Sequence, residues 1–284
     1  MTGFGERLHR ATSGRASLCV GIDPHEALLR DWGLSVDAAG AREFGLRVVE
    51  AAASRVVVVK PQVAFFERFG SDGFAALEEV MATARAAGLI VLADAKRGDI
   101  GTTMDAYAAA WLTPGAPLEA DAVTVTPYLG VGALESTFDR ARNAGKGVFV
   151  LAATSNPEAA SIQLAAPGEG TTAARPTIAA QVIAEVSAAN HRAGAQHSDI
   201  GFVIGATVEA ADFAIPAPLD PPAPILAPGF GAQGARLSDV VARFGANAST
   251  VLASASRSIL AAGPSGLAAA IATHIRELEE ARDV

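Results

Sequence analysis

Short apolar, β-branched runs alternate along the chain with alanine-rich segments, and that alternation is the strongest signal it carries. The runs predict strands at 17–22 (SLCVGI), 56–59 (VVVV), 89–94 (LIVLAD), 121–126 (DAVTVT), 147–153 (GVFVLAA), 199–206 (DIGFVIGA), 223–228 (APILAP) and 250–255 (TVLASA). Their near-continuous hydrophobicity suits parallel strands covered on both faces. Between them, apolar positions three and four apart predict helices, as in 41–54 and 73–88, the second stopped by Gly88 as a helix C-cap. Eight strand signals, each followed by helix or loop, predict a (β/α)8 TIM barrel occupying 1–284 as one domain. A doubly wound open sheet is the competitor, but it would carry a Gly-rich turn after its first strand, where this chain reads VGIDPHE. Two stretches break the rhythm: a long irregular connection at 155–176 and a proline-dense, stiff one at 216–229. The strand count continues across both, so neither reads as a domain boundary.

Composition narrows the setting. Half of the 284 residues are hydrophobic and the mean hydropathy is +0.30, enough for a large core. No apolar stretch reaches the 18 or so residues of a membrane span, and MTGFGERLHR lacks the apolar segment of a signal peptide. A cytoplasmic location is expected. A net charge of −8 with no basic block argues against nucleic-acid and anionic-membrane surfaces. The single cysteine, Cys19, sits in an apolar run, so no disulfide forms within the chain and a buried core role is expected.

Candidate chemistry gathers at the C-terminal ends of the predicted strands, where barrel loops converge. Strand one ends in Asp23, strand two in Lys60, strand three in Asp94 and Lys96, strand five in Thr154, Ser155 and Asn156, and strand eight leads into Arg257. Asp94 and Lys96 are two apart and share one strand face. With Asp23 and Lys60 from neighbouring strands they make an alternation of opposite charges. Asp99 opens the following helix, either as its N-cap or as a site residue, with Thr103 four positions on along the same face. A lysine flanked by carboxylates has its charged form favoured, which suits a general acid; an imine-forming lysine needs the opposite treatment. The segment APGFGAQG (227–234) carries Gly229, Gly231 and Gly234, which let backbone N–H groups approach an anion. Arg257 at the neighbouring tip can pair bidentately with phosphate. The five histidines show no metal-ligand spacing, the lysines already compensate the carboxylates, and there is no dinucleotide or P-loop fingerprint. Neither a metal nor a cofactor is called for.

Taken together, VGIDP (20–24), VVKPQVAFFERFG (58–70), DAKRGDIGTT (94–103), VTPYLG (125–130), TSNP (154–157) and APGFGAQG resemble the orotidine 5′-phosphate decarboxylase family, in its longer bacterial branch. The likeness runs from strand one to Arg257. It implies a cofactor-free decarboxylation of a nucleoside monophosphate, orotidine 5′-monophosphate, to UMP and CO2, the last step of pyrimidine nucleotide synthesis. It further implies that Asp23 bonds the ribose, Lys60 links ribose and charge network, Asp94 faces the substrate carboxylate and Lys96 protonates C6. Ser155 would contact the pyrimidine, and Gln233 and Arg257, with Gly231 in the same loop region, would hold the phosphate. Asp99 and Thr103 would reach the neighbouring subunit's site, so a homodimer is implied. The long 155–176 connection departs from the family's compact branch, and whether Gln163 or Gly168 approaches a ligand is open. Three rivals remain: a Mg²⁺-using sugar-phosphate decarboxylase or lyase on the same barrel, a Schiff-base aldolase working through Lys96 or Lys60, and an inert barrel that only binds a nucleotide.

Overall fold

A computed structural model describes residues 2–166, 176–231 and 234–281. Eight strands, β1 (Ser17–Ile22), β2 (Val58–Pro61), β3 (Ile90–Arg97), β4 (Ala122–Val125), β5 (Gly147–Ala153), β6 (Ile200–Ile204), β7 (Ile225–Pro228) and β8 (Val251–Ala255), form a closed barrel in sequence order. Every neighbouring pair is parallel, and β1 closes the ring on β8 through Ser17↔Leu252 to Val20↔Ala255. Helices lie between successive strands except β6 and β7, which a loop joins, so the (β/α)8 barrel read from the sequence is the observed architecture.

Strand pleat divides the core in two. Cys19, Val58, Leu92, Ala122, Phe149, Val203, Leu226 and Leu252, one from each strand, form a cluster of their own inside the barrel. Residues of opposite parity, such as Val20, Val59, Val91, Val123 and Val148, join the apolar stripes of the helices in a larger outer layer. The helix Ala38–Ala52 starts at Asp37, whose carboxylate accepts the Gly40 N–H at 2.8 Å. The helix Gly70–Ala86 ends at Ala87, and Gly88 follows with φ +80°, a left-handed turn that glycine adopts without strain.

Several local readings change, and β4, β6 and β7 are each shorter than the sequence predicts. β2 runs 58–61, not 56–59, because Lys60 turns its side chain inward and belongs to the strand. β3 continues past 94 to Arg97 through an irregular register with β4. The connection at 155–176 holds ordered turns, Pro157–Ala159 and Ala160–Gln163, before a long helix Ile178–Ala193. A feature with no counterpart in the sequence reading is the helix Phe4–Thr12, which closes the N-terminal mouth of the barrel. Phe4 is fully buried and meets Phe149 edge-on at 6.0 Å between centroids. Gly147 makes room for it: a Cβ there would collide with the Phe4 ring. Arg7 donates to Asp121 at 3.1 Å and the Gly5 N–H to Asp199 at 2.8 Å, which fasten this helix to the strand starts. Among the described residues no helix is long and apolar enough to cross a membrane.

Candidate active site

The residues two beyond the interior cluster point the same way, toward the C-terminal mouth: Lys60 after Val58, Asp94 after Leu92, Thr124 after Ala122, Ser254 after Leu252. The apolar interior therefore gives way to a polar layer at one level of the barrel. Above it opens a cavity of about 440 Å³, lined among others by Asp23, Lys60, Asp94, Lys96, Ser155 and Arg257. That volume lies in the range of small-molecule sites.

Asp94 is the hub. Its Oδ2 accepts from Lys60 Nζ at 3.0 Å and from Gln62 Nε2 at 2.8 Å; its Oδ1 accepts from Lys96 Nζ at 2.6 Å and from the Thr124 hydroxyl at 3.0 Å. Burial by itself would push this carboxyl upward, but the charges of Lys60 and Lys96 and their hydrogen bonds outweigh it and hold Asp94 well below the usual carboxylate range. Lys60 is pulled down by burial and more than restored by Asp94 and Asp23, so its ammonium is held above the usual lysine range. The two lysines differ in setting: the Lys60 side chain is 6% exposed and the Lys96 side chain 46%. Lys60 thus lines the floor of the cavity with most of its side chain buried, whereas Lys96 reaches further into it. Below them, burial pushes the Cys19 thiol up to about 12, leaving a core thiol with no reactive character.

The sequence pictured a lysine between carboxylates. The structure instead places a carboxylate, Asp94, between two lysines. Asp23 joins the same cavity; its Oδ2 accepts from Ser256 at 2.5 Å, and its buried Oδ1 receives no hydrogen bond from the described residues. Ser155 lines the wall, and Arg257, exposed at the start of the helix Arg257–Leu260, lines the other end of the strand ring. Asp99 and Thr103 are not among the residues lining the cavity. The Asp99 carboxylate accepts the Ile100 N–H at 2.8 Å, and the N-cap of the helix Gly101–Leu112 is Ile100, so Asp99 does not cap it. Gly229 lines the cavity, but Gly231 does not, and its N–H is committed to the Ala235 carbonyl at 2.8 Å. The Gly234 N–H likewise donates to Gly231 at 3.0 Å. Gln233 and Gly168 lie outside the described residues. Gln163 turns to the tip of β5: it accepts from the Thr154 N–H at 2.8 Å and donates to the Thr154 hydroxyl at 3.0 Å. The sequence places Gln62 at the tip of strand two without a role, and it singles out neither Thr124 nor Ser256. Period-two counting from Lys60 and across β4 would have brought in the first two.

A closed eight-stranded barrel with an alternating Asp/Lys cluster at its C-terminal mouth places the molecule among the (β/α)8 barrel enzymes. The chain belongs to the Orotidine 5′-phosphate decarboxylase / HUMPS family, whose model matches residues 16–271. It is 52% identical over 269 residues to an orotidine 5′-phosphate decarboxylase of Corynebacterium efficiens, covering 92% of this chain and 91% of that protein. It is 53% identical over 265 residues to one of Salinispora arenicola, covering 93% and 92%. Among solved structures, a candidate orotidine 5′-phosphate decarboxylase of Streptomyces avermitilis superposes with a TM-score of 0.91 at 46% identity, covering 100% of this chain and 97% of that one.

Proposed function

We propose that the chain removes CO2 from orotidine 5′-monophosphate to give UMP, with no cofactor, as one catalytic domain working in the cytoplasm on the last step of pyrimidine nucleotide synthesis. The observation that carries this reading is the Asp94 carboxylate fixed between Lys60 and Lys96 in the cavity that Arg257 also lines. In the reaction the bond from C6 to the carboxylate breaks, CO2 departs, and the electron pair stays on C6. Lys96 delivers the proton that C6 takes up and regains one from water. A fixed cation stabilises this charge more as it develops than before, which is the differential binding that accelerates a step. Asp94 cannot move aside, since four donors hold it; it orients Lys96 and opposes a substrate carboxylate placed beside it.

Asp23 suits a ribose hydroxyl, because its Oδ1 is a buried acceptor without a donor among the described residues. Lys60 ties Asp94 to this side of the site, and Ser155 faces the pyrimidine. Arg257, Gln233 and the Gly231 loop take the phosphate, whose binding energy orders the site around the ring. Asp99 and Thr103 serve the neighbouring subunit's site in a homodimer. Support for that assembly is the exposure of Ile100 (61%), Tyr128 (77%) and Leu129 (53%) just beyond the adjacent strands β3 and β4, an apolar surface beside Asp99. The test is the fall in ultraviolet absorbance of orotidine 5′-monophosphate with and without excess EDTA. Equal turnover in both is expected; absence of turnover refutes the reading, and loss of activity with EDTA would favour a metal-dependent sugar-phosphate enzyme.

A further inference from the structure

We propose that Thr124 is a positioning residue for the reaction, holding Lys96 and Asp94 in register through one hydroxyl; this rests on the decarboxylase reading above. The ladder between β3 and β4 breaks at the site. Ala93 pairs with Val123, and the next paired residue, Arg97, meets Val125, so three residues on β3 stand against one on β4. Such a bulge re-aims side chains and leaves backbone groups without their ladder partners. Lys96 is one of the residues set loose, and its backbone takes φ +49°, in the left-handed region. A residue with a Cβ stays there only when its surroundings fix it.

Thr124 supplies that fixing. Its hydroxyl oxygen accepts the Lys96 N–H at 2.9 Å, in place of the missing carbonyl, and its hydrogen goes to Asp94 Oδ1 at 3.0 Å. The same Asp94 oxygen accepts the Lys96 ammonium at 2.6 Å. One hydroxyl thus closes a ring running from the Lys96 amide through Thr124 and Asp94 to the Lys96 Nζ. Thr124 is completely buried and is not among the residues lining the cavity, so it acts only through its two neighbours. A valine there would keep the shape and the strand propensity while removing both the acceptor and the donor.

The experiment compares wild type with Thr124→Val and Thr124→Ser in two readouts. Steady-state turnover of orotidine 5′-monophosphate should show a fall in kcat of about 100-fold for Thr124→Val, as misplacement of a reacting group brings. KM should stay within about threefold and Thr124→Ser within about fivefold of wild-type kcat, because substrate binding and the hydroxyl are retained. Amide hydrogen exchange at Lys96, followed by NMR, should quicken at least about tenfold in Thr124→Val, the loss of one hydrogen bond's protection. The Val91 amide, which bonds Asp121 at 3.0 Å, should not change. Unchanged exchange at Lys96, a kcat for Thr124→Val within about threefold of wild type, or a serine as damaging as valine each overturns the proposal. If valine prevents folding, Thr124→Cys, a weak donor and acceptor of similar size, is read by the same criteria. If the wild type does not turn over the nucleotide, the decarboxylase reading fails alone, and Lys96 exchange still decides the role of Thr124.

Discussion

Replacing Asp94 with asparagine keeps the side-chain volume and removes one buried negative charge. The cost is set by how unevenly the cluster is built. Asp94 has four donors, of which Gln62 and Thr124 are neutral, whereas Lys60 spends its hydrogen bond on Asp94 with its side chain 6% exposed. Asp94→Asn therefore strands a buried ammonium and turns amide hydrogens toward donors, a loss of about 3–5 kcal/mol by analogy with broken buried pairs. Lys60→Met leaves Asp94 three donors, one of them cationic, and should cost about 1–3 kcal/mol. At roughly 2–4 °C per kcal/mol for a chain of this size, Asp94→Asn should melt about 6–20 °C below wild type and Lys60→Met clearly less. Circular dichroism melts at neutral pH measure both.

The pH dependence sharpens the test. Asp94 is held below its ordinary 3.8, so its contribution is present above that pH and disappears as pH falls through the folded value. Lys60 is held above its ordinary 10.5, so its contribution is present below that pH and disappears as pH rises through the folded value. Neutral pH lies inside the window where the pair contributes fully. In Asp94→Asn, burial acts on Lys60 without its main counter-charge, and the penalty fades as the ammonium loses its proton. The melting gap to wild type should narrow steadily from pH 7 to about 10. A gap that stays constant, or a Lys60→Met variant as unstable as Asp94→Asn, would refute the hub arrangement.

Lys96→Ala should abolish turnover while UMP binding, followed by calorimetry, stays largely intact; near-normal kcat would remove Lys96 from the acid role. Arg257→Ala should weaken phosphorylated ligands by about 1.5–3 kcal/mol, read as Kd for UMP against uridine, with uridine unaffected. Mixing Lys96→Ala and Asp99→Ala chains should restore some activity through one intact shared site; no recovery despite demonstrated subunit exchange would confine Asp99 to its own chain. Phe4→Ala should lower stability by about 3–5 kcal/mol with kcat retained, since its ring fills the end of the barrel away from the cavity.

Much of the barrel is legible because interior and exterior residues alternate on strands buried on both faces. β1 and β5 are read to the residue, at Ser17–Ile22 and Gly147–Ala153. β2 is not, since VVVVK offers no register of its own: the inward turn of Lys60 is set by Asp94 on the next strand. The charged cluster is legible as a set and not as an arrangement. Sequence order puts Lys96 between Asp94 and Asp99, but the bulge after Ala93 and the turn before Gly101 carry Asp99 off the cavity wall, and Lys60 arrives from another strand. Thr124 and Ser256 look like ordinary strand and loop hydroxyls until their partners, 30 and 233 residues away, come beside them. The helix Phe4–Thr12 escapes notice because its apolar face is short and its partner, Gly147, signals only by lacking a side chain.

That plug has a bearing on how the molecule is made. The Gly5 amide bonds a carboxylate 194 residues later, and Phe4 rests on a strand that begins at Gly147. At ribosomal speeds of about 5–20 residues per second, the anchor follows its helix by roughly 10–40 s. Throughout that interval a phenylalanine and a leucine destined for the barrel's interior have nowhere to go. The helix Phe4–Thr12 therefore waits for its buried seat until well over half of the barrel has been made, and it seats at the end opposite the chemistry.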